Sequence, residues 1–224
     1  MKLIPQSWSF EQQPDGPAIL RQLERAGRTC YKSETKITDD SAASFCRSLI
    51  KSGHHSVLEH ASISVRIITN RGVSHEIVRH RLASYSQEST RYCNYSGYDI
   101  VFIEPIWDSG VDVAYYKQSP YYIFQSALQD AEHYYNQLIS GGWSPQQARE
   151  VLPNALKTEL VMTCNIREWR HFFTLRCSKA AHPQMRQLAL SMLVGGFSIV
   201  IPVLFDDIIE LYQPYLGDIK GDCK

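Results

Sequence analysis

Leu156-Lys157-Thr158-Glu159-Leu160-Val161-Met162-Thr163-Cys164-Asn165-Ile166-Arg167-Glu168-Trp169-Arg170-His171 changes its period halfway along. Leu156, Thr158, Leu160, Met162 and Cys164 fall on every second position, the repeat of a strand with one buried face. Asn165 then stands where a helix N-cap belongs, and Glu168 three places on is the partner that closes a capping box. The spacing predicts a strand that runs straight into a helix. Upstream, Ala61, Ile63, Val65 and Ile67 alternate in the same way and predict a second strand over 61–69. Ile100 to Ile103 reads as a short third strand, stopped by Pro105.

Helices fill the intervals. Asp39-Asp40-Ser41 precedes apolar Ala42, Phe45, Cys46, Leu49 and Ile50, and Gly53 follows, which predicts a capped amphipathic helix with a glycine stop. Val73, Ile77 and Leu82 give a helical stripe that dissolves into the polar run Ser84-Tyr85-Ser86-Gln87-Glu88-Ser89. A long helix is expected from about Pro120 to Ser140, ending at Gly141-Gly142. Ser144-Pro145-Gln146-Gln147 combines a capping box with a first-turn proline, and Pro153 closes that short helix. Ala181-His182-Pro183 opens the last long one. Helical runs separated by a few non-adjacent strands predict an α+β fold, with a small, mainly antiparallel sheet packed against long helices, and one domain over 1–224.

Composition narrows the function. The 224 residues carry 23 basic and 23 acidic side chains, a net charge of zero. A protein that coats nucleic acid or an anionic membrane needs a surplus of Lys and Arg, so no nucleic-acid or membrane partner is expected. Any anion site must be a local cluster. The six cysteines form no CxxC pair, which excludes zinc ribbons and thioredoxin-type motifs. With no apolar export signal at Met1–Trp8, they read as reduced thiols and a cytoplasmic protein. Leu188 to Phe205 is uncharged, but its Gly195-Gly196, its serines and Pro202 mark a buried helix broken near Pro202 rather than a membrane span.

Neither GxGxxG nor GxxxxGK[ST] occurs, so a bound nucleotide or flavin must be held by side chains. Ser74-His75-Glu76-Ile77-Val78-Arg79-His80 resembles HExxH, yet its histidines are five apart and point about 140° away from each other on a helix. No metal is expected. The unusual segment is Arg79-His80-Arg81, followed by Leu82 to Gln87 and then Glu88-Ser89-Thr90-Arg91-Tyr92. Its arginine forks suit phosphates or carboxylates, and its aromatics suit a ring. A solvated basic helix end fits the same residues.

Arg79-His80-Arg81, seven residues and then Ser89 match the RHR-x7-S signature of the flavin-dependent thymidylate synthases. Gly53-His54-His55-Ser56-Val57-Leu58-Glu59-His60, Arg149-Glu150-Val151-Leu152-Pro153, Asn165-Ile166-Arg167, His171, Leu175-Arg176 and His182-Pro183-Gln184 resemble the family's other motifs, in its order, over roughly 30–205. The resemblance implies conversion of dUMP to dTMP, with methylenetetrahydrofolate as carbon donor and NADPH as reductant through FAD. It implies flavin contacts at His54, Ser56, Arg79, His80, Arg81, Gln87, Asn165, Arg167 and His171. It implies a dUMP site at Glu76, Arg79, Gln87, Glu88, Ser89, Thr90, Arg91, Arg149 and Arg176, with the backbone of Glu88 and Thr90 assisting. Arg176 matches the arginine that polarises uracil and is the catalytic candidate. The chain departs from some relatives at Ser86-Gln87, where they carry Asn-Glu, at His171 for Asn and at Glu76 for Gln. The family's assembly implies a homotetramer with active sites shared between subunits, and the 188–205 helix is compatible with a subunit contact.

Several residues also have plain structural readings. Ser89 reads as a phosphate donor rather than a nucleophile, since no triad is evident. Cys93 and Cys177 read as small buried hydrophobes. One of Arg167 and Arg170 is expected to pair only with Glu159 or Glu168. His60 reads as a satisfied structural histidine, and the tyrosines as core and interface. A non-catalytic nucleotide- or RNA-binding module built on the same arginines is the rival class.

Overall fold

The computed structural model describes residues 1–106 and 119–213; Cys223 lies outside them. Chain order is β1 (Lys2–Ile4), β2 (Ser7–Phe10), α1 (Gly16–Thr29), α2 (Ser41–Lys51), β3 (Ser62–Asn70), α3 (Arg71–Ile77), β4 (Ala83–Gln87), β5 (Val101–Ile103), α4 (Pro120–Ser140), α5 (Pro145–Ala148), β6 (Lys157–Asn165), α6 (Ile166–Arg176), α7 (Pro183–Met192), α8 (Ser198–Val200) and α9 (Asp206–Tyr212). A four-stranded antiparallel sheet has the order β2-β3-β6-β4, and β1 pairs with β5 in a separate parallel ribbon. The fold is therefore α+β, with helices against a small antiparallel sheet.

The switch of period at Asn165 does what its residues dictate. Along β6 every second side chain is buried, and Leu160, Met162 and Cys164 enter the core beside Val65, Ile67 and Ile63 of β3. Asn165 caps α6, its side-chain oxygen accepting the Glu168 N–H at 2.9 Å. Trp169, Phe172 and Phe173 of α6 then pack in the same core with Phe197 and Phe205. The buried Trp169 indole N–H donates to the Ile63 carbonyl at 3.0 Å, so its polar atom is satisfied.

Three expectations are corrected. The polar run 84–89 does not stay a loop: Ala83–Gln87 forms edge strand β4, hydrogen-bonded to β6, with Ala83 and Tyr85 against the core and Ser84 and Ser86 outward. Polar outward residues had hidden its period. Leu82 leaves the α3 stripe and is 75% exposed. The Glu168 carboxylate does not close a capping box; it meets His80 instead. His60, read as a satisfied structural histidine, is exposed.

The uncharged 188–205 segment is buried as expected and breaks at Ile201-Pro202. It is also interrupted earlier by a π-turn over Leu193–Phe197. Gly196 there lies under the Trp8 indole, where a Cβ would stand 2.3 Å from the ring. Most of its side chains serve this chain's own core, which limits what is left for a subunit contact to outward positions such as Val194 and Ile199. Among the described residues no helix is long and apolar enough to cross a membrane.

Candidate active site

The Arg79-His80-Arg81 segment links the end of α3 to β4, and its side chains part company. Arg79 and Arg81 are exposed, while His80 is 4% exposed, wedged beside Phe172 and His171 of α6 with ring centroids 5.0 and 5.6 Å away. Tyr85 of β4 donates to the His80 carbonyl at 2.8 Å and to that of Ile77 at 2.9 Å, which fixes the turn. The His80 Nδ1 lies 2.9 Å from a Glu168 carboxylate oxygen, and its Nε2 accepts from the Arg176 Nε at 3.0 Å. Arg176 completes its fork on Glu76, with Nη1 to the carboxylate at 2.9 Å and Nη2 to the backbone carbonyl at 2.8 Å. Burial, above all else, holds the His80 pKa below the usual histidine range; the Arg176 charge and His171 act in the same direction, against Glu168.

Five of the nine expected flavin residues, His54, Ser56, Asn165, Arg167 and His171, line two cavities, whereas Arg79, His80, Arg81 and Gln87 line neither. One cavity of about 530 Å³ is lined by His54, His55, Ser56, Phe45, Tyr31 and Arg167. A second, of about 720 Å³, is lined by His55, Asn165, Arg167, Glu168 and His171. They share His55 and Arg167 as lining residues, and Gly53, which lines the first, has a backbone φ of +71° that suits glycine. Arg167 is held by Glu59 at 2.6 Å. Cation, imidazoles, hydroxyl and carboxamide form a donor set suited to a pyrophosphate and a polar ring edge, so these residues fit a flavin dinucleotide. His55, quoted within the Gly53–His60 motif but not named as a flavin contact, lines both cavities.

Of the expected nucleotide residues, Gln87, Glu88, Ser89, Thr90, Arg91 and Arg149 lie at the other end of β4 and β6, whereas Glu76, Arg79 and Arg176 sit at the His80 node. Gln87 donates to Ser74 Oγ and Thr158 Oγ1, both at 3.0 Å. Ser89 starts the next turn, and Arg91, exposed, sits over the Tyr92 ring at 5.4 Å. Arg149 Nη1 donates to the hydroxyl of buried Thr90 at 3.2 Å. The Glu88 N–H donates to the Glu159 carbonyl at 2.8 Å. The Glu88 carboxylate is clamped by Lys157 at 2.9 Å and Tyr95 at 2.8 Å. Thr158 and Cys164, which mark the two ends, are six positions apart on β6, about 20 Å in an extended strand.

The remaining readings sort cleanly. Arg167 pairs with Glu59, and Arg170 pairs with Asp207 in a bidentate fork at 2.9 and 2.6 Å; neither uses the expected Glu159 or Glu168. Arg66 and Lys157 take Glu159. Cys177 is fully buried and its thiol is pushed up to about 12 by burial, whereas Cys93 is only half-buried. Among the described residues, His80, Glu168 and His171 bring donor atoms within 4.8 Å of one another. Two of these are already bonded to each other beside the Arg176 cation, which opposes a second cation there. We assign no metal to them.

Residues 17–200 match the family described as "Thymidylate synthase complementing protein", and the chain belongs to that family. It is 39% identical over 191 residues to a protein of Geobacter sulfurreducens named flavin-dependent thymidylate synthase, covering 81% of this chain and 78% of that one. A protein of the same name from Mycobacterium sp. (strain JLS) is 35% identical over 223 residues, 93% of this chain and 86% of the other. The fold is shared with a solved UMP/dUMP methylase, PolB, from Streptomyces cacaoi bound with 5-Br dUMP, at a TM-score of 0.76 and 20% identity. That alignment covers 94% of this chain and 97% of the other.

Proposed function

We propose that this chain is a flavin-dependent thymidylate synthase, an FAD-dependent methyltransferase that converts dUMP to dTMP. Methylenetetrahydrofolate is the carbon donor and NADPH the reductant. The observation that carries the reading is the Glu168–His80–Arg176–Glu76 chain, which fixes a half-buried guanidinium next to a groove that Glu168 itself lines. Bound FAD supplies hydride transfer; the protein orients the rings and sets their electrostatics. His54, Ser56, Asn165, Arg167 and His171 would line the flavin, with Arg79, His80, Arg81 and Gln87 joining it to the nucleotide. Ser89, Thr90, Arg91 and Arg149 would take the dUMP phosphate, with Glu76 and Glu88 shaping the nucleotide side. Arg176 would stabilise negative charge on the uracil as C5 becomes nucleophilic.

The groove at Asn165 and Arg167 and the cluster of Gln87, Thr90 and Arg149 lie at opposite ends of β6, about 20 Å apart by strand rise. That separation supports a homotetramer in which a neighbour brings its own half to each site. Residues 1–224 would act as one such domain, in the cytoplasm. Tritium release from [5-³H]dUMP with FAD, NADPH and methylenetetrahydrofolate tests the reading. Release with dTMP as product is expected. A colourless protein that takes up no FAD and releases no tritium would favour a nucleotide- or RNA-binding module instead.

A further inference from the structure

Arginine Nε carries a hydrogen and no lone pair, so it can only donate. The 3.0 Å contact from Arg176 Nε therefore requires an unprotonated Nε2 on His80. A neutral imidazole must then carry its proton on Nδ1, and that atom faces a Glu168 carboxylate oxygen at 2.9 Å. Glu168 is itself fixed: its N–H is capped by Asn165, and it is 6% exposed in the first turn of α6. Glu168 and Arg176 sit at opposite ends of one helix, and the His80 ring spans the gap between them.

We propose that Glu168 is a positioning residue that selects the Nδ1–H tautomer of His80 and so aims Arg176 at the uracil ring. The proposal deepens the reading above and rests on it. With the other tautomer, or with an imidazolium, His80 presents N–H to the Arg176 N–H. Two donors then face each other, and the guanidinium turns away. Glu76 alone would still hold the outer end of the fork, so the arginine would remain ion-paired but misdirected. Three charged or titratable groups of α6 face the ring, namely Glu168, Arg176 and His171; Glu76 of α3 acts through Arg176, and Tyr85 of β4 binds the backbone carbonyl.

The test uses the full-length, FAD-loaded protein with ¹⁵N-histidine, and His80 is assigned by the signals lost in His80→Gln. The parent should show the Nδ1–H pattern. Glu168→Ala should convert it to Nε2–H or a mixture and lower dTMP turnover about 10- to 100-fold, with the KM for dUMP within about threefold. Glu168→Gln, whose carbonyl can still accept from Nδ1–H, should keep the tautomer and recover most turnover. Because the carboxylate favours the imidazolium, its loss should also move the acid limb of kcat to lower pH. An unchanged Nδ1–H pattern in Glu168→Ala, or turnover within about twofold of the parent at saturating FAD, overturns the proposal. Should the alanine variant lose flavin or fold, the proposal stands or falls on Glu168→Gln, which must hold both tautomer and flavin. A parent that forms no dTMP at all defeats the functional reading and the uracil half of this proposal. The tautomer half is then judged by the nitrogen signals alone.

Discussion

At the residue scale, chemistry is concentrated where polar groups are buried against each other. Arg176 has its three nitrogens committed to His80 and Glu76, which leaves it oriented before any ligand arrives. Loss of one preorganised donor costs on the order of 10²–10³ in rate, about 3–4 kcal/mol. Arg176→Ala should therefore nearly abolish dTMP formation while NADPH-driven flavin reduction survives, as stopped-flow absorbance beside a product assay would show. Arg176→Lys keeps the charge without the planar fork and should be intermediate. No thiol is assigned a catalytic role in this reading. Cys93→Ser and Cys177→Ala should both keep most of the turnover. Cys177→Ala should lose about 1 kcal/mol of stability through the small void it leaves, read as a lower melting temperature. A folded, yellow Cys93→Ser without turnover would overturn that assignment.

At the element scale, the π-turn over Leu193–Phe197 gives a paired prediction from two adjacent glycines. A Cβ on Gly196 would stand 2.3 Å from the Trp8 ring, whereas one on Gly195 would stand 3.6 Å from it, an ordinary contact. Gly196→Ala should cost about 1–3 kcal/mol by overpacking. Gly195→Ala should change stability by no more than about 1 kcal/mol, and thermal unfolding of the two variants side by side checks the contrast. Trp8 also explains what was and was not legible in the sequence. β3 and β6 were visible because their buried residues alternate with polar ones over nine positions each. β2, whose Trp8 covers that turn, spans four residues, too few to show a period. β4 was hidden by its serines. The candidate site residues were legible as motifs, since each motif lies on one short stretch. The Glu168–His80 contact was not, because a capping box explained Glu168 locally and nothing in the chain places residues 80 and 168 together.

At the scale of the whole molecule, the groove on one side and the Arg149–Thr90 cluster on the other belong to opposite ends of the sheet. If each working site takes one half from each of two subunits, defects in different halves should complement. His54→Ala should weaken FAD retention and Arg149→Ala should mainly raise the dUMP requirement. Co-expressed, the two should give turnover well above either alone, because some sites then combine two intact halves. A mixture no better than the sum of its parents would show that each subunit carries a complete site. The strand between those halves also sets a rule for how such a chain can vary in length. β6 alternates core and surface at every step, so adding one residue would turn Leu160 and Met162 out to solvent and Glu159 inward. Adding two would keep the faces but lengthen the spacing by about 7 Å. β6 is thus a measuring rod of fixed length, and viable insertions in this chain belong in its connecting segments, where neither the alternation nor the distance between its ends is disturbed.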